Sequence, residues 1–167
     1  VHGDTTSAMP VVSLPEISQD VFDQAEVSNN NLTGISGTYS YDPVTHAFSS
    51  DGNVVLSSGV YYFSSLILLN SADLSIEPDA HVLIYVTGDV DLKNDASINT
   101  GGQPRDVQIY GQGDALIGNN GDVHASLYVP DGSAIIDNSG NLFGSVVAHN
   151  VVVQNSGGFH YDRDLAR

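Results

Sequence analysis

One five-residue phrase constrains this chain more than anything else in it: an apolar residue, any residue, Asn, any residue, then Ala or Gly. It reads Leu68, Asn70, Ala72; Leu92, Asn94, Ala96; Ile117, Asn119, Gly121; Ile136, Asn138, Gly140; and Val153, Asn155, Gly157. The Asn-to-Asn steps are 24, 25, 19 and 17 residues, an irregular return inside the range of stacked repeat units. Each copy is therefore expected to be one coil of a solenoid.

The flanks of each Asn say what kind of coil. Before it, apolar residues stand two apart: Leu66 and Leu68, Val90 and Leu92, Ala115 and Ile117, Ala134 and Ile136, Val151 and Val153. That is the alternation of a strand with one buried face. After the small residue comes a second such run, at Leu74 and Ile76, Ala96 and Ile98, Val123 and Ala125, Leu142 and Gly144, Phe159 and Tyr161. A third run follows most of these: Val60 to Phe63, Val82 to Val86, Val107 to Tyr110, Leu127 to Val129, Val146 to Ala148. Three short strands per coil, without intervening helix or hairpin dipeptides, predict a parallel β-helix of about five regular coils rather than a sandwich. Asn suits the corner because its side chain tolerates left-handed backbone angles and bonds turn amides. Stacked copies can also bond to one another as a ladder.

Charge narrows the partners. Four basic residues against 20 acidic ones leave a net charge of −16, which opposes binding to nucleic acid or to an anionic membrane surface and fits an extracellular, saline or divalent-rich setting. Hydrophobic content of 41 % in 167 residues supplies one core. Cysteine is absent, so no disulfide framework exists. No run approaches the ~20 apolar residues of a membrane span. The start lacks a basic segment followed by an apolar one, so Val1 reads as the beginning of a mature or excised segment.

In chain order, residues 1–14 read as an extended lead-in. From Pro15, with Glu16 behind it and Ser13 before it, Ile17, Val21 and Ala25 recur four apart beside Phe22, which predicts a helix of about three turns. A solenoid leaves its terminal coil open, so this helix is expected as a cap. Residues 28–37, with three consecutive Asn, read as a loop. Short strands around Thr38 to Tyr41 and Thr45 to Phe48 form either a hairpin or an irregular first coil. The regular pattern starts near Asn53, and the corner from Asn99 to Asp106 bulges outward. Asp162, Arg163, Asp164 and Arg167 are too charged for a core and are expected to close the far end. Residues 1–50 thus form lead-in, cap and first strands and residues 51–167 the β-helix, together one structural domain.

Several phrases resemble a known family. GVYYF, IYVTGDV, the LYVPDG corner and the closing HYD with an acidic residue and Leu are similar to a C-terminal domain, often described as of unknown function, in bacterial PilX-like pilus-assembly and surface proteins. The resemblance covers roughly Asn53 to Leu165. It implies a short right-handed, single-stranded parallel β-helix at the cell surface, and it brings no catalytic residues.

The residues themselves offer few chemistries. A β-helix glycosidase needs paired carboxylates at close range, and a lyase needs a base with cations nearby, of which only Lys93, Arg105, Arg163 and Arg167 exist. No catalytic residue is assigned. Turn carboxylates, above all Asp89, Asp91, Asp114 and Asp122, with Asp95, Asp106, Asp131 and Asp137, are candidate calcium ligands between coils. Neither an EF-hand loop nor a nonapeptide calcium repeat is present. His2, His46, His81, His124, His149 and His160 lack metal-site spacing, and His160 with Asp162 is expected to fix the last coil. Ice binding would need a file of Thr, where Ser75, Ser97, His124 and Phe143 stand instead. Tyr61, Tyr62, Tyr85, Tyr110 and Tyr128 fall on one run of successive coils, either as core or as an outward stripe for sugar rings. The expectation is a non-enzymatic extracellular structural or adhesive module, pilus- or surface-associated, pairing or forming filaments through an end. The alternative is a calcium- or polysaccharide-binding module.

Overall fold

A computed structural model describes residues 17–166; the expected lead-in over residues 1–14 and the helix start at Pro15 lie outside the described residues. Helix α1 (Gln19–Val27) begins at Ser18, whose hydroxyl accepts from the Asp20 amide at 3.3 Å. It ends where the Asn29 side chain donates to the carbonyls of Ala25 and Glu26, at 2.9 and 2.8 Å. Of the expected residues Phe22 and Ala25 are buried and Ile17 packs against them, while Val21 is exposed.

The strands follow in chain order: β1 (Ile35–Gly37), β2 (Ser40–Tyr41), β3 (Ala47–Ser50), β4 (Asn53–Leu56), β5 (Gly59–Phe63) and β6 (Ser65–Leu68). The next coils supply β7 (Asp73–Ile76), β8 (Val82–Val86), β9 (Val90–Leu92), β10 (Ser97–Ile98), β11 (Val107–Gly111) and β12 (Ala115–Ile117). Last come β13 (Asp122–Ile136), β14 (Asn141–Val153) and β15 (Gly158–Tyr161), with short 3₁₀ turns at Pro104–Asp106 and Arg163–Ala166.

These strands stack in parallel on three faces of a β-solenoid. The first face holds β4, β7, β10, the starts of β13 and β14, and β15, which amounts to about six turns, one more than the Asn phrase counts. The second holds β5, β8, β11 and the middles of β13 and β14. The third holds β3, β6, β9, β12 and the ends of β13 and β14. Because β3 already lies parallel to β6, stacking begins at Ala47, slightly ahead of the boundary expected at residue 51.

One core runs the length of the stack. Inward residues such as Leu56, Leu68, Leu74, Val86, Leu92 and Ile98 have no exposed surface, as the two-residue alternation requires. The long early steps carry loops between the first and second faces, at residues 77–81 and 99–106. In the last two coils β13 and β14 instead pass round the corners as continuous strands, which is why their steps shorten. At the 99–106 corner the loop is pinned inward by Asn99. This residue is buried, and its amide donates to the carbonyls of Gln103 and His124 at 3.1 and 3.2 Å.

The two ends differ. At the N-terminal end β1 pairs antiparallel with β4, and β2 antiparallel with β3, so two of the three faces stop on a reversed strand. The third is closed by side chains. Asn30 Oδ1 accepts from the Val60 amide at 3.0 Å, and buried Asn31 both accepts from the Tyr62 amide at 3.1 Å and donates to the Tyr62 carbonyl. The Asn run that reads as a loop is a substitute strand for the edge of β5. The expected N-terminal helix is present and lies along the outside of the second face. Glu26 stands near His46 of the first coil, Phe22 meets Tyr85, and Gln19 accepts from Gln112 at 2.8 Å.

Candidate functional site

The corner residues are the first candidates. Asn70, Asn94, Asn119, Asn138 and Asn155 all have φ between 47° and 56°, and the residue after each is also at positive φ. Their backbones form a column: the amide of Ser71 donates to the Asn94 carbonyl, Asp95 to Asn119, Asn120 to Asn138 and Ser139 to Asn155, at 2.7 to 3.1 Å. Side chains bond directly between Asn94 and Asn70 and between Asn138 and Asn119, both at 3.3 Å, while Asn155 donates to Asp137 at 2.8 Å. These amides face their own neighbours, which is a structural use.

The carboxylates follow the same habit. Asp73 accepts from Ser97 at 2.6 Å, Asp95 from Asn120 at 2.9 Å, and Asp122 from Asn141 at 2.9 Å, each across one coil. Asp89 accepts from the Asp114 amide at 2.9 Å, and Asp114 in turn from the Ser133 amide at 2.7 Å. Asp91 pairs with Lys93 at 2.6 Å, and its second oxygen has no hydrogen-bond partner. Of the four calcium candidates, Asp89, Asp91 and Asp114 border one shallow depression with Leu116 and Ile135. Asp122 stands elsewhere, on the first face. Among the described residues no group of three or more acidic, His or Cys side chains is arranged to hold a metal ion. The coil-to-coil pairing of Asp with Asn or Ser was not read from the sequence. Its signal is an Asp followed one repeat later by an amide or hydroxyl residue.

Tyrosine splits between the two readings. Tyr61 is core, its hydroxyl donating to the carbonyls of Gly34 and Ser57 at 2.9 and 2.8 Å. Tyr62, Tyr85, Tyr110 and Tyr128 form one outward register on the second face. Phe22 of α1 packs edge-on against Tyr85, and Tyr62 is buried beneath the helix. Tyr85 stacks on Tyr110 at 5.3 Å, and Tyr110 leans on Tyr128 at 6.1 Å. Burial raises the hydroxyl pKa of Tyr61, Tyr62 and Tyr85 above the ordinary phenol value. The file is thus in part a docking strip for the helix.

The histidines are dispersed. His46 shares a hydrogen bond with the Tyr41 hydroxyl at 2.8 Å, His81 lies 3.3 Å from Asp106, and His149 is exposed. His2 lies outside the described residues. On the first face His124, Phe143 and His160 stack in one column, with ring centroids 4.6 and 4.4 Å apart. Ser97 does not belong to that column, since it stands between Asp73 and Asp122. No described helix is long and apolar enough to cross a membrane.

No curated protein and no solved structure matches the chain. A family profile does match, over residues 3–167, so the helix and first strands share in a pattern that the sequence resemblance traced only from Asn53. By that match across nearly its whole length, the chain belongs to the family described as a domain of unknown function, DUF7305.

Proposed function

We propose that the chain is a non-enzymatic extracellular structural or adhesive module, associated with a pilus or the cell surface and able to assemble through an end of its stack. The observation that carries this reading is the direction of its polar side chains. Corner Asn and several Asp bond from coil to coil, as in Asp95 with Asn120 and Asp122 with Asn141. Stacking is then the chain's main chemistry, and it suits a scaffold. The net charge of −16 supports an exposed setting. Immunogold labelling and protease shaving of intact producing cells test it: label on the outer surface, lost on shaving, is expected. Retention in the cytosol would end the proposal.

A calcium-binding role is the second reading, favoured by Asp89, Asp91 and Asp114 around one depression and by the unpartnered Asp91 oxygen. Thermal unfolding with and without about 1 mM calcium separates the two, since a ligand held at 100 Kd adds about 2.7 kcal/mol. An unchanged midpoint removes the calcium version.

A further inference from the structure

We infer that the C-terminal end of the solenoid is a self-association face that takes one second copy of this chain, end against like end, and so stops at a pair. The inference deepens the end-to-end part of the proposed function. It rests on that reading only for its biological sense, because association of the purified chain is measured apart from its location.

The last coil is built like the others, and among the described residues no further strand layer covers it. Val151 and Val153 stand in register with Ala134 and Ile136, and Phe159 and Tyr161 with Leu142 and Gly144. One coil earlier these inward positions are 1 % (Ala134), 0 % (Ile136) and 0 % (Leu142) exposed, whereas Val151, Val153, Phe159 and Tyr161 are 46, 46, 37 and 57 % exposed. Among the described strands, the Val146–Ala148 and Asn150–Val153 stretches of β14 pair on one side only, and so does β15. The final 3₁₀ turn lies beside the one at Pro104–Asp106. Unpaired backbone over an open core asks for another strand layer.

Charge and geometry select the occupant. Residues 138–161 contain no Asp, Glu, Lys or Arg, in a chain of net charge −16. These strands can meet their like with little of the repulsion that the net charge imposes on the chain as a whole. The N-terminal end of a second copy offers no open core to match it, because Phe48, Val54, Leu56, Tyr61 and Phe63 are fully buried there behind β1, β2 and the Asn30 and Asn31 side chains. Only the matching end remains. Like ends meet through a two-fold axis, which sets the facing edges antiparallel, a fully bonded arrangement. The contact is isologous and closed, so no filament grows from it.

Sedimentation velocity of the whole chain, from about 1 μM to about 1 mM, tests this. A monomer–dimer equilibrium that saturates at two is expected. Val153→Lys, an inward charge on the open edge, weakens pairing about tenfold or more. Asn150→Asp, at an exposed position, weakens it in the same direction and keeps the test alive should Val153→Lys fail to fold, which thermal unfolding reports. Val44→Lys, at an 85 % exposed site beyond the closed end, leaves pairing unchanged. A strict monomer throughout, assemblies larger than two, or equal sensitivity to Val44→Lys each overturn the inference.

Discussion

At the residue scale, the corner is where side-chain identity matters most. Two successive residues at positive φ turn the chain between the third and first faces, and an L-residue other than Asn or Gly there costs about 1–2 kcal/mol. Asn94→Ala should therefore lower stability by about 1–2 kcal/mol, while Asn94→Gly, which relaxes the backbone, should stay within about 0.5 kcal/mol of the parent. Urea midpoints at constant slope would show it. Equal losses would instead credit the 3.3 Å bond to Asn70. Tyr61 makes a second prediction. Burial raises its pKa, and its hydroxyl must stay protonated to donate to Gly34 and Ser57. A raised folded pKa contributes stability that is whole below the unfolded value of about 10 and is lost as pH climbs through the folded one. Alkaline titration should show tyrosinate absorbance from the buried rings appearing together with loss of the β-sheet signal, and Tyr61→Phe should push that loss to higher pH. Titration of all eight tyrosines at one ordinary pKa with the sheet intact would refute this.

At the element scale, α1 and the Asn29–Asn31 run divide a task the sequence assigned to the helix alone. The helix covers the outer tyrosine file, and the Asn side chains stop the β5 edge. Phe22 is the helix's anchor, 1 % exposed and edge-on to Tyr85. Phe22→Ala should cost about 3 kcal/mol and release the helix while the coils persist. Far-UV circular dichroism should lose only its small helical component, and Tyr62, buried beneath the helix, should become open to iodination. Collapse of the whole sheet signal would mean that the helix is part of the core. The three faces were legible because Leu66, Leu68 and their counterparts alternate and Asn70 and its counterparts mark each corner. Periodicity of two, however, assigns sides only within a strand. Tyr61 and Tyr62 are adjacent, so one had to face outward, yet nothing local tells which, or that Phe22 would cover it. Asn30 and Asn31 were illegible for a related reason: their partners at Val60 and Tyr62 lie 30 and 31 residues away. No repeat precedes them to supply a register. The carboxylates of the candidate site were visible as residues but not as partners, since Asp95 meets Asn120 only once the 25-residue step becomes a vertical contact.

At the scale of the whole molecule, the solenoid is a one-dimensional stack in which each coil touches only its neighbours, so stability should vary along the axis. The central coils have inward residues at zero exposure and strands paired on both sides, as at β8 between β5 and β11. The N-terminal end is closed by reversed strands and Asn side chains, whereas the C-terminal end leaves backbone donors and Val151 and Val153 open. Hydrogen exchange should therefore be slowest from β6 to β12, intermediate at β4 and β5, and fastest over Asn150–Val153 and β15, where opening needs the loss of only one neighbour. The gradient also depends on concentration if the open end pairs. At low concentration the last coil exchanges freely; at high concentration its protection should rise toward that of β12, with β4 and β5 unchanged. Exchange at one rate throughout the stack would mean that the coils open as a single cooperative unit, and the asymmetry of the two ends would then have no energetic consequence.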